Sequence, residues 1–154
     1  MKTFEELGVC EEIRRAIGEM GFVQPMPVQE EVIPFLTEGR RDVIALAQTG
    51  TGKTAAFGIP LLQRVREGSS ALVLSPTREL CLQITDDLRD FAKYLEGIHI
   101  EAVYGGAAIE PQMRALRKGV NIIVATPGRL IDLKNRGFVH LEDTSTIVLD
   151  EADE

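Results

Sequence analysis

The run Ala47-Gln48-Thr49-Gly50-Thr51-Gly52-Lys53-Thr54 brings glycines, a lysine and a hydroxyl residue together at a spacing suited to holding phosphate. Gly50 and Gly52 let the backbone curl so that successive N–H groups point inward at an anion. A helix starting there adds partial positive charge at its N-terminus. Lys53 has the reach for the β- and γ-phosphates of a nucleotide, and the Thr54 hydroxyl suits Mg2+. The general phosphate-loop pattern has glycine where this chain has Ala47. A merely flexible Gly/Thr loop would not need Lys-Thr directly after its last glycine.

A second set of candidates stands at the far end of the chain. Ile147-Val148-Leu149 reads as an apolar strand that ends in Asp150 and Glu151. Asp150, held at the strand tip, can orient Mg2+ directly or through water, and Glu151 can point at a water attacking the γ-phosphate. Phosphoryl transfer needs charge neutralisation and a positioned nucleophile, the two jobs this pair can do. Alone, Asp150-Glu151-Ala152-Asp153 is only a solvated acidic cluster. Coupled to Lys53 and Thr54 it becomes a catalytic set.

These residues need elements to position them. Val43–Ala47 reads as a buried strand leading into the loop, followed by a helix through Phe57, Leu61, Leu62 and Val65. Pro60 falls inside that helix and should bend it or shift its start. Further strands are expected at Ala71–Leu74, Ile98–Tyr104, Val120–Ala125 and Ile147–Leu149. Between them, Leu80, Ile84, Leu88, Phe91 and Leu95 form one amphipathic stripe, Ile109, Met113 and Leu116 another, and a helix follows Pro127. Upstream, Ile13, Ala16, Ile17 and Met20 share a helical face, and a second helix starts near Pro27 and carries Val28, Val32 and Leu36. Strands this apolar are buried on both faces, which implies a parallel sheet covered by helices: a doubly wound α/β domain. Ligands of such sheets sit beyond the carboxyl ends of the strands, where every motif named here falls.

The chain has 154 residues, a length for one domain with a substantial core. Its net charge of −7 excludes nucleic-acid binding by bulk positive charge, so any such contact needs a local surface with placed groups. Trp is absent and aromatics are scarce, which leaves no base-stacking platform. Cys10 and Cys81 are isolated and read as small buried hydrophobes in a reducing compartment. His99 and His140 have no metal-ligand spacing, and Arg114, Arg117 and Lys118 read as a solvated helix face. The N-terminus turns acidic at Glu5-Glu6, unlike a signal peptide, and no apolar run is long enough to span a bilayer. The expected location is the cytoplasm. Oligomeric state is not legible.

With Asp150-Glu151-Ala152-Asp153 and the phosphate loop in place, the sequence resembles the DEAD-box ATP-dependent RNA helicases, over essentially the whole chain. Gly21-Phe22-Val23-Gln24-Pro25-Met26-Pro27-Val28-Gln29 is similar to that family's adenine-reading Q motif, with Phe4 upstream where the family places a supporting aromatic. Met26 stands where a small hydroxyl residue is usual. The family's phosphate loop tolerates Ala at its first position, as at Ala47. Pro76-Thr77-Arg78-Glu79-Leu80, Gly105-Gly106 and Thr126-Pro127-Gly128-Arg129 match its RNA-contacting motifs. The resemblance implies a RecA-like fold, ATP with Mg2+ as cofactors, RNA as partner, and a coupling role between domains for Asp153.

Each motif also has a physical reading. The Gln29 amide carries donor and acceptor and can pair with the N6/N7 edge of adenine, so the site should prefer ATP. Its alternative is a polar residue on a surface helix. Thr77 and Thr126 fall at expected helix starts, where they can cap the helix or help a backbone phosphate to bind. Gly105-Gly106 allows close approach of a phosphate or makes a simple turn. Arg78 and Arg129 can pair with phosphates or brace neighbouring loops. Such contacts read backbone and shape, not base sequence.

Two other enzyme classes fit less well. A GTPase should carry an Asn-Lys-x-Asp motif, which is absent, and a small-molecule kinase leaves Pro76–Leu80 and Thr126–Arg129 without a shared purpose. A non-catalytic nucleotide-binding module is the third reading. The chain stops at Glu154, directly after the DEAD motif. Family members continue with a Ser-Ala-Thr motif and a second RecA-like domain bearing arginine fingers. The expectation is therefore a partial ATP-binding domain, with residues 1–36 as the Q-motif region and 37–154 as the phosphate-loop core. Its sheet should lack a central strand between those bearing Lys53 and Asp150, or another segment should fill the gap.

Overall fold

The computed structural model describes residues 2–38, 51–140 and 146–149. Among these residues four strands, β1 (Ala71–Leu74), β2 (Ile100–Val103), β3 (Ile122–Ala125) and β4 (Thr146–Leu149), form one sheet in the order β2-β3-β1-β4. All pairings are parallel, with Ala71 opposite both Ile122 and Thr146, and Ile100 opposite Ile122. The expected fold class is thus observed. β1 has the expected bounds, β2 and β3 are shorter than the expected Ile98–Tyr104 and Val120–Ala125, and β4 starts one residue before the expected Ile147. The expected strand Val43–Ala47, the loop residues Ala47–Gly50 and the acidic residues Asp150, Glu151 and Asp153 lie outside the described residues. So does any test of a gap in the sheet between Lys53 and Asp150.

Among the described residues six helices alternate with or precede the strands: α1 (Glu11–Glu19), α2 (Pro27–Glu38), α3 (Thr51–Arg66), α4 (Arg78–Phe91), α5 (Ile109–Arg117) and α6 (Pro127–Asn135). Side chains alternate across the strands, so the sheet has two apolar faces to cover. Ala71, Val73, Ile122 and Val124 join a core with Ile13 and Ile17 of α1, Ile33 of α2, Ile59 and Leu62 of α3, and Ile84, Leu88 and Phe91 of α4. Leu72, Val103 and Ala125 join a second core with Leu130 and Leu133 of α6, against which Ile109, Met113 and Leu116 of α5 pack. Each fully buried large aliphatic or aromatic side chain contributes about 1.5–3 kcal/mol. These two layers hold the strand ends in place. No helix among the described residues is long and apolar enough to cross a membrane.

Pro60 does not interrupt α3, which runs unbroken from Thr51 to Arg66, and Pro34 likewise lies inside α2. Tertiary packing outweighs the one backbone hydrogen bond each proline removes. The α4 stripe stops at Phe91, and Leu95 reaches the same core from the following turn. On the surface, α1 is tied to the end of α4. Lys93 Nζ lies 2.8 Å from Glu19 Oε1, the Tyr94 hydroxyl donates to the other Glu19 oxygen, and the Arg15 guanidinium sits 4.1 Å above the Tyr94 ring.

Gly58 sets how closely α3 approaches α4. A Cβ there would lie 2.7 Å from Leu88 Cδ2 and 3.6 Å from the Phe91 ring. Leu88 and Phe91 are fully buried, which leaves them little room to shift. Glycine-to-larger changes inside a helix ordinarily gain helix propensity. Here Gly58→Val is expected to destabilise the fold by about 1–3 kcal/mol through overpacking. A urea midpoint equal to or above wild type would show that the α3–α4 contact is not this tight.

Candidate functional site

The segment before α2 is wired to the start of α3 through one side chain. Gln29 is fully buried on α2. Its Oε1 accepts from the Met26 N–H at 2.9 Å, and its Nε2 donates to the Gly52 carbonyl at 3.0 Å. The first bond satisfies a backbone donor at the entry to α2, as a glutamine at the third helical position does in a capping box. The second reaches across to the glycine that precedes Lys53. Met26 lies over the same point, since a Cβ at Gly52 would come 2.5 Å from its Sδ. Phe4 is buried, with its ring centroid 6.4 Å from that of Phe22, which in turn packs edge-on against Phe91 at 6.2 Å. This aromatic row anchors the turn from Gly21 to Met26. Gln24 is exposed on that turn.

Lys53 and Thr54 occupy the first turn of α3 and are both buried. Thr54 is a hydrogen-bond partner of the Asp87 carboxylate on α4. Burial pushes the Asp87 carboxyl above the usual carboxylate range. Asp90 and Asp86 push the same way, and the Thr54 hydrogen bond opposes them. A hydroxyl at a helix N-terminus is the hard-oxygen donor that Mg2+ takes, together with phosphate oxygens and water. Among the described residues no cluster of three or more His, Cys, Asp or Glu offers a competing all-protein metal cage. Thr54 is thus a residue that could hold a phosphate-bound Mg2+.

The remaining motifs lie along one edge of the sheet. Because the strand order is β2-β3-β1, Gly105-Gly106 after β2, Thr126–Arg129 after β3 and Pro76–Glu79 after β1 fall side by side. They are stitched together. Thr126 Oγ1 accepts from the Gly105 N–H at 3.3 Å, so this threonine bridges two motifs and does not cap its own helix. Thr77 does cap α4, its Oγ1 accepting from the Leu80 N–H at 3.2 Å. Arg129 is a brace, donating to Gln112 Oε1 and to the Ala107 carbonyl, both at 2.9 Å. The Arg78 guanidinium sits 5.0 Å from the Tyr104 ring centroid. Pro127, Gly128, Gly105, Gly106, Arg78 and Glu79 are exposed there. Gly106 has φ +81°, a conformation that favours glycine.

A family model described as DEAD/DEAH box helicase matches residues 26–154. The chain belongs to the DEAD/DEAH box helicase family. It is 50% identical over 155 residues to the ATP-dependent RNA helicase DeaD of Buchnera aphidicola subsp. Acyrthosiphon pisum, covering 99% of this chain and 26% of that protein. For the DeaD helicase of Escherichia coli K12 the figures are 48%, 99% and 24%. The chain thus spans about a quarter of the length of the curated relatives it matches. Among solved structures it resembles a hypothetical ATP-dependent RNA helicase from Sulfolobus tokodaii, with a TM-score of 0.85, 40% identity and coverage of 93% of this chain and 41% of that one. It also resembles the RNA helicase Prp28 from Chaetomium thermophilum bound to ADP, with a TM-score of 0.87, 41% identity and coverage of 99% and 39%. The parallel sheet and its helices are those of a RecA-like helicase domain.

Two residues of this DEAD/DEAH box domain escaped the sequence reading. Gln112 is buried and exchanges hydrogen bonds with Tyr104, accepting from its N–H at 3.3 Å and donating to its carbonyl at 3.2 Å, while also holding Arg129. The available signal was a glutamine beside the apolar stripe Ile109, Met113 and Leu116. Asp87 is the other, a carboxylate among Ile84, Leu88 and Phe91. The cysteines match their expected role in part. Cys81 is fully buried with Sγ 3.0 Å from the Val124 carbonyl, and burial pushes its thiol up to about 11, while Cys10 is half-buried.

Proposed function

We propose that this chain is the ATP-binding domain of an ATP-dependent RNA helicase, which hydrolyses ATP to drive RNA binding and local duplex opening in the cytoplasm. Residues 1–36 carry the adenine-reading part, with Gln29 facing the base and Phe4 and Gln24 supporting it. Residues 37–154 carry the phosphate chemistry. Gln48, Thr49, Gly50, Thr51 and Gly52 cradle the phosphates, Lys53 meets the β- and γ-phosphates, and Thr54 with Asp150 holds Mg2+. That ion neutralises charge that develops on the phosphates. Glu151 positions the attacking water, and Asp153 couples this domain to a second one. By itself the chain binds ATP–Mg2+ weakly and turns it over negligibly.

One observation carries the RNA half of this reading. Three motifs from separate strands form one exposed edge of glycines, helix N-termini and a threonine bridge. Backbone N–H groups at such an edge suit phosphates, which explains how an acidic protein can hold RNA without a basic face. Gly128 provides the test. Nothing lies within 4 Å of a Cβ placed there, so a side chain is tolerated. Gly128→Glu is expected to leave the thermal midpoint unchanged and to weaken binding of a labelled single-stranded RNA of mixed sequence by about tenfold, through like-charge repulsion worth about 1 kcal/mol or more. Unchanged RNA affinity, measured by fluorescence anisotropy, would remove this edge from the RNA path.

A further inference from the structure

Asp87 is an unexpected carboxylate in an otherwise apolar interface. It lies on α4 where Ile84, Leu88 and Phe91 pack into the core beside α3. Its Oδ2 is buried and has no hydrogen-bond partner among the described residues. Its charged sequence neighbours, Asp86, Arg89 and Asp90, do not relieve it: Asp86 and Asp90 repel it, and Arg89 donates to the Ile100 carbonyl and pairs with Glu101. An apolar residue at this point would be easier to bury. What the carboxylate does touch is Thr54.

We propose that Asp87 is a positioning residue for nucleotide-bound Mg2+, accepting the hydrogen bond of the Thr54 hydroxyl so that the lone pairs of that oxygen face the metal. A threonine hydroxyl has one donor and two acceptor lone pairs. To ligate a cation it must send its hydrogen elsewhere. In a helix the default is a backbone carbonyl one turn back. A carboxylate on the neighbouring helix fixes the rotor instead and adds negative charge behind the ligand. Partners of this kind orient a ligating group and raise its affinity for metal. The cation in turn offsets the cost of leaving that carboxylate half-buried. The inference rests on reading Thr54 as the Mg2+ ligand of an ATP site.

The test compares wild type, Asp87→Leu and Asp87→Asn by calorimetric titration of ATP, once in MgCl2 and once in EDTA, with thermal unfolding of each nucleotide-free protein. Wild type is expected to bind ATP more tightly with Mg2+. Asp87→Leu is expected to lose about tenfold in the Mg2+ titration, at the lower end for removal of a ligand-orienting partner. In EDTA its affinity should match wild type, and its thermal midpoint should be equal or higher. Asp87→Asn keeps an acceptor oxygen and should retain most of the Mg2+ effect. A wild-type ratio between the two titrations in Asp87→Leu overturns the inference, as does an equal loss in both with a lowered midpoint. Wild-type binding that ignores Mg2+, or is absent, overturns the reading of Thr54 and the inference with it.

Discussion

Gln29→Leu is expected to lower stability by about 1–3 kcal/mol and to remove any preference for ATP over GTP. The stability loss follows from the two bonds the amide makes. Without them the Met26 N–H loses its partner and the Gly52 carbonyl, which also lies within α3, loses its side-chain donor; a part-buried backbone group left unsatisfied costs about 1–3 kcal/mol. The preference follows from a count. A glutamine amide offers two N–H donors and two acceptor lone pairs. One donor goes to Gly52 and one lone pair to Met26. What remains is one donor and one acceptor, which complement N7 and N6–H of adenine. Guanine presents O6 at the latter position and meets an acceptor with an acceptor. Such a pair discriminates by about 1–3 kcal/mol, or roughly five- to 150-fold in affinity. Gln29 is fully buried, so a base reaches it only when a neighbour yields. Met26 is unbranched, half-exposed and laid across Gly52, which suits it to that movement. Competition between ATP and GTP in the variant and in wild type, alongside urea unfolding, measures both effects. A variant that unfolds earlier yet still prefers ATP would make Gln29 a structural staple only.

How much of this was legible in the chain depends on how local the information is. Periodicity places α4 because Leu80, Ile84 and Leu88 recur at helical spacing, and it places β1 and β3 because Ala71–Leu74 and Ile122–Ala125 are continuously apolar. Partner choice is not local. That β3 lies between β1 and β2 depends on contacts distant in sequence, and with it the contiguity of the three edge motifs. Polar side chains are harder still. Arg129 carried two readings, phosphate contact or brace, and the structure engages it with Gln112 and Ala107. Thr126 and Thr77 look alike as hydroxyls beside prolines, yet one bridges to Gly105 and the other caps α4. Gln112 and Asp87 are hidden in the sequence for the same reason: a lone polar residue near an apolar stripe announces itself only when its tertiary partner is known. Family resemblance supplied the roles of the motifs. It says nothing of the carboxylate on α4 that hydrogen-bonds Thr54.

Adding a second RecA-like domain from a DEAD-box relative, in trans or by fusion, is expected to raise RNA-stimulated ATP turnover by about 10³–10⁵-fold, the range an arginine finger supplies in related nucleotide hydrolases. The reason lies in where four described arginines are committed. Lys53, the proposed phosphate ligand, stands at the start of α3, whereas Arg64 and Arg66 lie at the other end of that helix, with Arg66 paired to Glu12 at 2.8 Å. Arg78 is drawn to Tyr104, and Arg129 is spent on bracing the Gly105–Ala108 turn. With ATP at the proposed site at the head of α3, these commitments leave the γ-phosphate charge to a further cation. The curated relatives, about four times as long as the stretch matched here, have room for the domain that would supply one. Phosphate release at saturating single-stranded RNA is the readout. The added domain should restore turnover, and the same domain with its arginine fingers changed to alanine should not. Fast RNA-dependent hydrolysis by the unassisted chain would contradict this account. So would restoration by the alanine-substituted domain, which would show that closure around the nucleotide, without the extra charge, is sufficient.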